Sequence, residues 1–419
     1  MANISTIQGS EMSGRIPELL APAGNLSKLR TALAYGADAV YVGATGFSMR
    51  PDKAAFAPDA LAEAVTYTHA HKKKIYVAIN TLMFEEEIDS LGQWLSDTAG
   101  IPFDAVIISD PGAMALVRKR RPGIPIHIST QASTANAAAA EFWKDAGASR
   151  VVLSRECTLD QASRIASNTD MEVEIFIHGA MCVAISGRCL LSAHLCGHSG
   201  SRGNCKHSCR WEWQLVEQKR PGESITVFEN GRQTIFLGSK DLCLIEHIPH
   251  LLKSGVSSLK MEGRMKSEYY VATVTRVYRA ALDRYAEAPR GYEIDSQWLR
   301  ELDAVSHRPY CTGFAFGYPD ENPDALQTHN FTVGTSQIHG LVAGVTGPIH
   351  TVSVKNRFSI GDQLEWIGPE MATGTVWVEK IRDESGTPLS VSQSGRNFKV
   401  SFWNEVSLPD FAILRKWNR

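Results

Sequence analysis

Between residues 18 and 264 the chain alternates between short, almost wholly apolar runs and longer amphipathic ones. The apolar runs are ELLAPAG (18–24), AVYVGA (39–44), KIYVAIN (74–80), DAVIIS (104–109), IPIHIST (124–130), RVVLSRE (150–156), EVEIFIHG (172–179) and SSLKMEGR (257–264). Rich in Val and Ile and barely alternating, they read as strands buried on both faces. Helices are predicted at 25–35, 58–70, 85–98, from Pro111, and at 134–146, 158–168, 241–254 and 267–286. Asn25 suits an N-cap, and Pro111 stands where a missing N–H costs nothing. In the last helix Val271, Val274, Tyr278, Ala281 and Tyr285 recur on one face. Strand–helix units in such a series predict an α/β fold, a (β/α)8 TIM-like barrel. An open doubly wound sheet is the rival. No phosphate-type glycine fingerprint follows the first strand, which counts against its dinucleotide-binding version.

Beyond residue 288 the texture changes. A link and a short helix (about 296–306) occupy 289–330, with Gly313, Gly317, Pro319 and Pro323 in an irregular stretch. From 331 to 419, runs such as HGLVAGVTG, HTVSVKN, DQLEWIG, GTVWVEKI, FKVSFW and DFAILRKW predict a small antiparallel β-barrel. The expected organisation is therefore a loose tail (1–15), a barrel (16–288) with a cysteine-rich insertion at about 180–238, a linker, and the small barrel.

Composition adds little: 43% hydrophobic, 21% charged and a formal net charge of −2 are ordinary for a globular protein. No global field advertises nucleic acid or membrane, although a local basic surface would suffice for RNA. No apolar run reaches the roughly 18 residues of a membrane span. The start of the chain lacks the basic-then-apolar order of a secretory signal. A cytoplasmic location is expected, where clustered cysteines point to metal or redox chemistry more than to disulfides.

The seventh apolar run leads straight into such a cluster. Five of the eight cysteines (Cys182, Cys189, Cys196, Cys205 and Cys209) fall between Glu174 and Arg210. Four thiolates can hold zinc or an iron–sulfur cluster, and the spacings claim neither uniquely. Cys196 and Cys243 are spares; Cys157 and Cys311 are isolated. In a barrel of this kind chemistry sits where strands end. Asn25, Asn80, Asp110, Ser129, Gln131, Arg155, Glu156, His178, Glu262 and Arg264 all fall there. Strand alternation aims Glu262 and Arg264 to the same side, where a glutamate can move protons and an arginine can grip a carboxylate. The plain alternative is a mutual salt bridge. His127 and His178 are bases or packed structural histidines. Gln131 and Asn80 offer neutral hydrogen bonds to a substrate or between loops.

These residues carry a resemblance. The run Glu174-x-Phe176-x-x-Gly179-Ala180-Met181-Cys182-x4-Gly187-x-Cys189-x-Leu191-Ser192 resembles the signature of the collagenase-like peptidase family of unknown catalytic type. ELLAPAGN, DAVYVG, the SxQAS of Ser129–Ser133, LSRE, the CxxxCRW of Cys205–Trp211 and KMEGRMKSEYY are similar to further family motifs, across residues 17–318. The resemblance implies a [4Fe–4S] cluster on Cys182, Cys189, Cys205 and Cys209, and prephenate as hydroxyl donor. It implies RNA hydroxylation, with wobble uridine of tRNA as the expected target and ribosomal RNA or a quinone precursor as alternatives. Arg264 and Arg155 would then grip prephenate's carboxylates, Glu262 or His178 would move protons, and Gln131 and Asn80 would line the site. A related partner chain is left open. The family's name keeps a peptidase as one rival; a non-catalytic, cluster-bearing RNA- or partner-binding module is the other.

Overall fold

The computed structural model describes residues 16–181, 189, 191–198, 205, 206, 208, 228, 229, 234, 235, 239–317 and 333–418. Its larger part is a closed barrel of parallel strands. These are β1 (Glu18–Pro22), β2 (Ala39–Gly43), β3 (Lys74–Ile79), β4 (Ala105–Ile108), β5 (Ile126–Ile128), β6 (Arg150–Val152), β7 (Glu172–Ala180) and β8 (Ser258–Met261). Each pairs in parallel with its neighbour, and β8 pairs with both β7 and β1, which closes the ring. The rival open sheet is excluded. Helices follow the strands close to the expected positions. Asn25 caps the first by accepting the Lys28 amide at 2.9 Å, and Asp110 caps the one opening at Pro111.

Residues 241–254 depart from expectation. Asp241–Cys243 is a strand, antiparallel to the end of β7, and the helix is confined to Ile248–Lys253. The strand is held at its start: Asp241 accepts the backbone N–H and the guanidinium of Arg308. Tyr310–Cys311 adds to it in parallel. The segment read as a linker therefore completes the barrel rim.

The smaller part is a ring of six antiparallel strands: β9 (Ser336–Thr346), β10 (Ile349–Val354), β11 (Gln363–Ile367), β12 (Thr373–Arg382), β13 (Asn397–Phe402) and β14 (Ile413–Trp417). Pairing of β11 with both β14 and β12 closes it around Val342, Val352, Leu364, Val378 and Phe402. It is locked to the large barrel by buried polar contacts. Tyr35 donates its hydroxyl to the Ile367 and Phe411 carbonyls, and Glu301 bridges Arg276 and Arg415 at 2.6 and 2.7 Å. Such pairs demand one geometry, so the two barrels are held in fixed relation.

Candidate active site at the barrel mouth

The interior of the large barrel carries a ladder of charges beside a small apolar cluster of Leu20, Tyr41, Tyr76, Ala78 and Ile107. Arg150 binds Glu18 at 2.7 Å and Glu174 at 3.0 Å, and Glu174 in turn holds the Lys260 ammonium at 2.8 Å. Burial opposes ionisation of Glu174, yet Lys260 and Arg150 outweigh it and hold its pKa down at about 2. This ladder rises to a pocket of about 430 Å³, open mouth included, at the C-terminal ends of the strands. Tyr41, Asn80, Gln131, Phe176 and Lys260 line it together with Arg50, Arg155, Glu262 and Arg264.

Cations outnumber carboxylates there. Among the described residues Glu262 is the sole lining carboxylate, bound by Arg50 at 3.0 Å and Arg155 at 3.2 Å. Burial alone would raise its pKa; Arg50, Arg155 and Arg264 override that and hold it at about 2. Arg155 also lies over the Phe176 ring at 3.9 Å. Arg264 is only 3% exposed and, among the described residues, has no carboxylate partner within ion-pair distance. Its Nη1 donates to Ser48 Oγ at 3.3 Å. Burial, and then the like charge of Arg50, push its pKa down to about 10. Gly43 makes room for it: a Cβ there would lie 2.5 Å from Arg264 Nη1. Lys260 on the floor also has a lowered pKa, from burial, although Glu174 counteracts it. A buried surplus of positive charge is unfavourable when empty and is relieved by an anion.

Of the residues singled out in the sequence, Glu262, Arg264, Arg155, Gln131 and Asn80 meet in this pocket. Asn80 also ties the second loop, accepting the Met49 amide at 3.2 Å. His178 does not join them. Simple alternation puts it on the face of Phe176, but a bulge shifts the register between Lys260↔Phe176 and Met261↔His178. The imidazole instead packs among Tyr270, Tyr278 and Tyr310, and burial lowers its pKa to about 3. His127 is likewise neutral, at about 3, against the Tyr76 ring. Arg50, Lys260 and Tyr41 were missed. Lys260 had a legible signal, sharing strand parity with Glu262 and Arg264; Arg50 had only its place in a long loop after β2.

Cys182 and Cys209 lie outside the described residues, and among the described ones no group of three or more His, Cys, Asp or Glu is disposed to hold a metal. What surrounds the proposed ligands fits a thiolate-bound group nonetheless. The chain enters the cysteine segment from the pocket wall: Arg155 donates to the Ala180 carbonyl, while Ser239 and Arg308 donate to that of Met181. The Leu191 amide donates to Cys189 Sγ at 3.4 Å, the kind of N–H···S contact that a cluster-bound sulfur accepts. The spares are occupied otherwise. Cys196 gives its thiol to the Ser192 carbonyl at 2.9 Å, and burial pushes Cys243 up to about 12. A protonated thiol is a poor ligand.

Fold and pocket together define an α/β-barrel protein with an anion-receptive mouth beside a cysteine-rich segment. The chain belongs to peptidase family U32: residues 24–324 match that family and residues 335–415 match its C-terminal domain. It is 38% identical over 393 residues to tRNA hydroxylation protein P1 of Bacillus subtilis, covering 93% of each chain. It is 36% identical to the 23S rRNA 5-hydroxycytidine C2501 synthase of Escherichia coli, over 64% of this chain and 40% of that protein. It is 31% identical to a collagenase of Porphyromonas gingivalis, over 90% of this chain and 93% of the relative. No helix among the described residues is long and apolar enough to cross a membrane.

Proposed function

We propose that this chain is an iron–sulfur RNA hydroxylase that binds prephenate at the barrel mouth and acts on the wobble uridine of tRNA. One observation carries the reading of the co-substrate: Arg50, Arg155, Arg264 and Lys260 surround a single lining carboxylate in a buried pocket. A small dicarboxylate supplies the two negative charges such a site lacks, and guanidinium groups grip carboxylates in a bidentate fork. RNA as the acceptor is supported by relatives named for tRNA hydroxylation and for rRNA hydroxycytidine synthesis.

Arg264, which has no carboxylate of its own among the described residues, takes one substrate carboxylate; Arg155 and Arg50 are shared between the other and Glu262. Glu262 is a carboxylate at neutral pH, with a proton affinity too low for a useful base while both arginines hold it. Substrate competing for those arginines frees Glu262 to accept a proton, which couples occupancy to reactivity. Phe176 and Tyr41 present apolar faces to the ring of the donor. Hydroxylating a base removes two electrons from it, which none of the described side chains can accept; a cluster on Cys182, Cys189, Cys205 and Cys209 would pass those electrons on one at a time to an electron acceptor outside this chain, while the donor's hydroxyl supplies the oxygen.

The peptidase reading rests on the family's name and on the collagenase relative, and no arrangement among the described residues supports it. Neither barrel histidine lines the pocket, so its lining holds no nucleophile–imidazole pair. The test is a thermal-shift titration: prephenate is expected to stabilise the purified protein, and a neutral ester of it is not. Equal stabilisation by both would overturn the reading.

A further inference from the structure

The outer face of the small barrel carries an exposed aromatic stack. Trp377 and Trp403 are 42% and 51% exposed, with ring centroids 5.8 Å apart and planes inclined by 18°. Strand register puts them side by side, because Val378 pairs with Phe402 one position away. Trp403 is fixed by a turn in which Asn404 and Glu405 take left-handed φ values of 60° and 52°. Farther along the same two strands, Lys399 sits opposite Arg382, and both are exposed. Lys399 has no carboxylate partner among the described residues, while nearby Glu379 is engaged by Lys380 at 3.0 Å and by Ser401. The neighbours of Trp377, Gln363 directly across the adjoining strand and Thr375 two positions back on its own, are polar.

We propose that Trp377 and Trp403, with Lys399 and Arg382 farther along the same two strands, form a stacking platform for unpaired bases of the RNA. Two large exposed rings would be a liability on a surface with no partner. A protein partner would call for a continuous apolar patch, which the polar neighbours interrupt. Flat exposed aromatic faces are instead the form of a site for single-stranded nucleic acid, the rings taking bases. Lys399 and Arg382, four and five residues farther along the two strands, are placed for phosphates of neighbouring nucleotides, whereas Glu379 and Glu405 lie closer to the rings. Because Glu301, Arg276 and Arg415 lock the two barrels together, the platform is a rigid part of the enzyme and sets where the bound strand lies relative to the pocket.

This inference rests on the RNA reading above, and the test separates the two. Binding of unmodified tRNA and of a uridine-rich oligonucleotide is measured with the full-length protein, its Trp377→Ala/Trp403→Ala double variant and Lys399→Glu. The double variant is expected to bind both RNAs at least about fivefold more weakly per stacked base lost, with an unchanged thermal response to prephenate. Lys399→Glu is expected to lower the salt dependence of binding by about one phosphate contact. Wild-type affinity in both variants would overturn the platform and leave the RNA reading intact. Failure of the wild type itself to bind either RNA would overturn both.

Discussion

Replacing Arg264 by Met separates what the pocket costs the fold from what it gives the ligand. At neutral pH the buried guanidinium stays charged, with a pKa pushed well below the ordinary guanidinium value, to about 10. At roughly 1.4 kcal/mol per unit, that depression corresponds to about 3 kcal/mol of unfavourable free energy in the empty folded state. Methionine removes the charge and refills most of the volume. It forfeits the charge-assisted hydrogen bond to Ser48 Oγ, worth about 1.5–3 kcal/mol. The net expectation is an empty protein that loses no stability and gains up to about 2 kcal/mol, read from urea unfolding. The same substitution removes a buried charge partner for a carboxylate, so prephenate should bind more weakly by about 2–5 kcal/mol, or roughly 30- to 4,000-fold. Calorimetric titration checks the second part. A variant that loses several kcal/mol of stability while binding prephenate with unchanged affinity would refute the reasoning, because Arg264 would then be structural.

Further expectations follow from the same geometry. Glu174→Gln leaves Arg150 and Lys260 without their shared carboxylate, and should cost about 3–5 kcal/mol of stability in urea. Glu174 and Glu262 have folded pKa values of about 2 against 4.5 when free. Their contribution, about 3 kcal/mol each, is therefore complete above pH 4.5 and lost as pH falls toward 2; an unfolding series across that range should fall steeply, and a flat one would contradict the ion-pair account. Gly43→Ala should displace the Arg264 head and weaken prephenate binding about tenfold while the protein stays folded by circular dichroism. Cys189→Ser should reduce iron and acid-labile sulfide per chain after anaerobic purification, whereas Cys196→Ser should not.

Most of the fold was legible because the strand runs are buried on both faces, and continuous Val/Ile stretches are hard to mistake. Where reading failed, the deciding interaction was distant in sequence. Asp241–Cys243 looks helical by spacing, but becomes a strand because β7 runs on past the barrel and Arg308 captures Asp241. His178 stood as a base or as a packed histidine, and the strand pattern alone does not choose; one bulged residue turns it away from the face of Phe176 to pack among Tyr270, Tyr278 and Tyr310. Arg50 could not be found, since a loop residue acquires its role only when Glu262 is brought to it. Glu262 and Arg264 do share the pocket, but they are not the mutual pair that their spacing allowed. Glu262 is taken by Arg50 and Arg155, which leaves Arg264 without a carboxylate partner among the described residues.

The most direct measurement is mass spectrometry of nucleosides in tRNA from a strain lacking this chain, complemented with the wild type or with Arg264→Met. The account predicts that 5-hydroxyuridine derivatives vanish on deletion, return with the wild type, and stay depleted with the variant. An unchanged nucleoside profile in the deletion strain would contradict it.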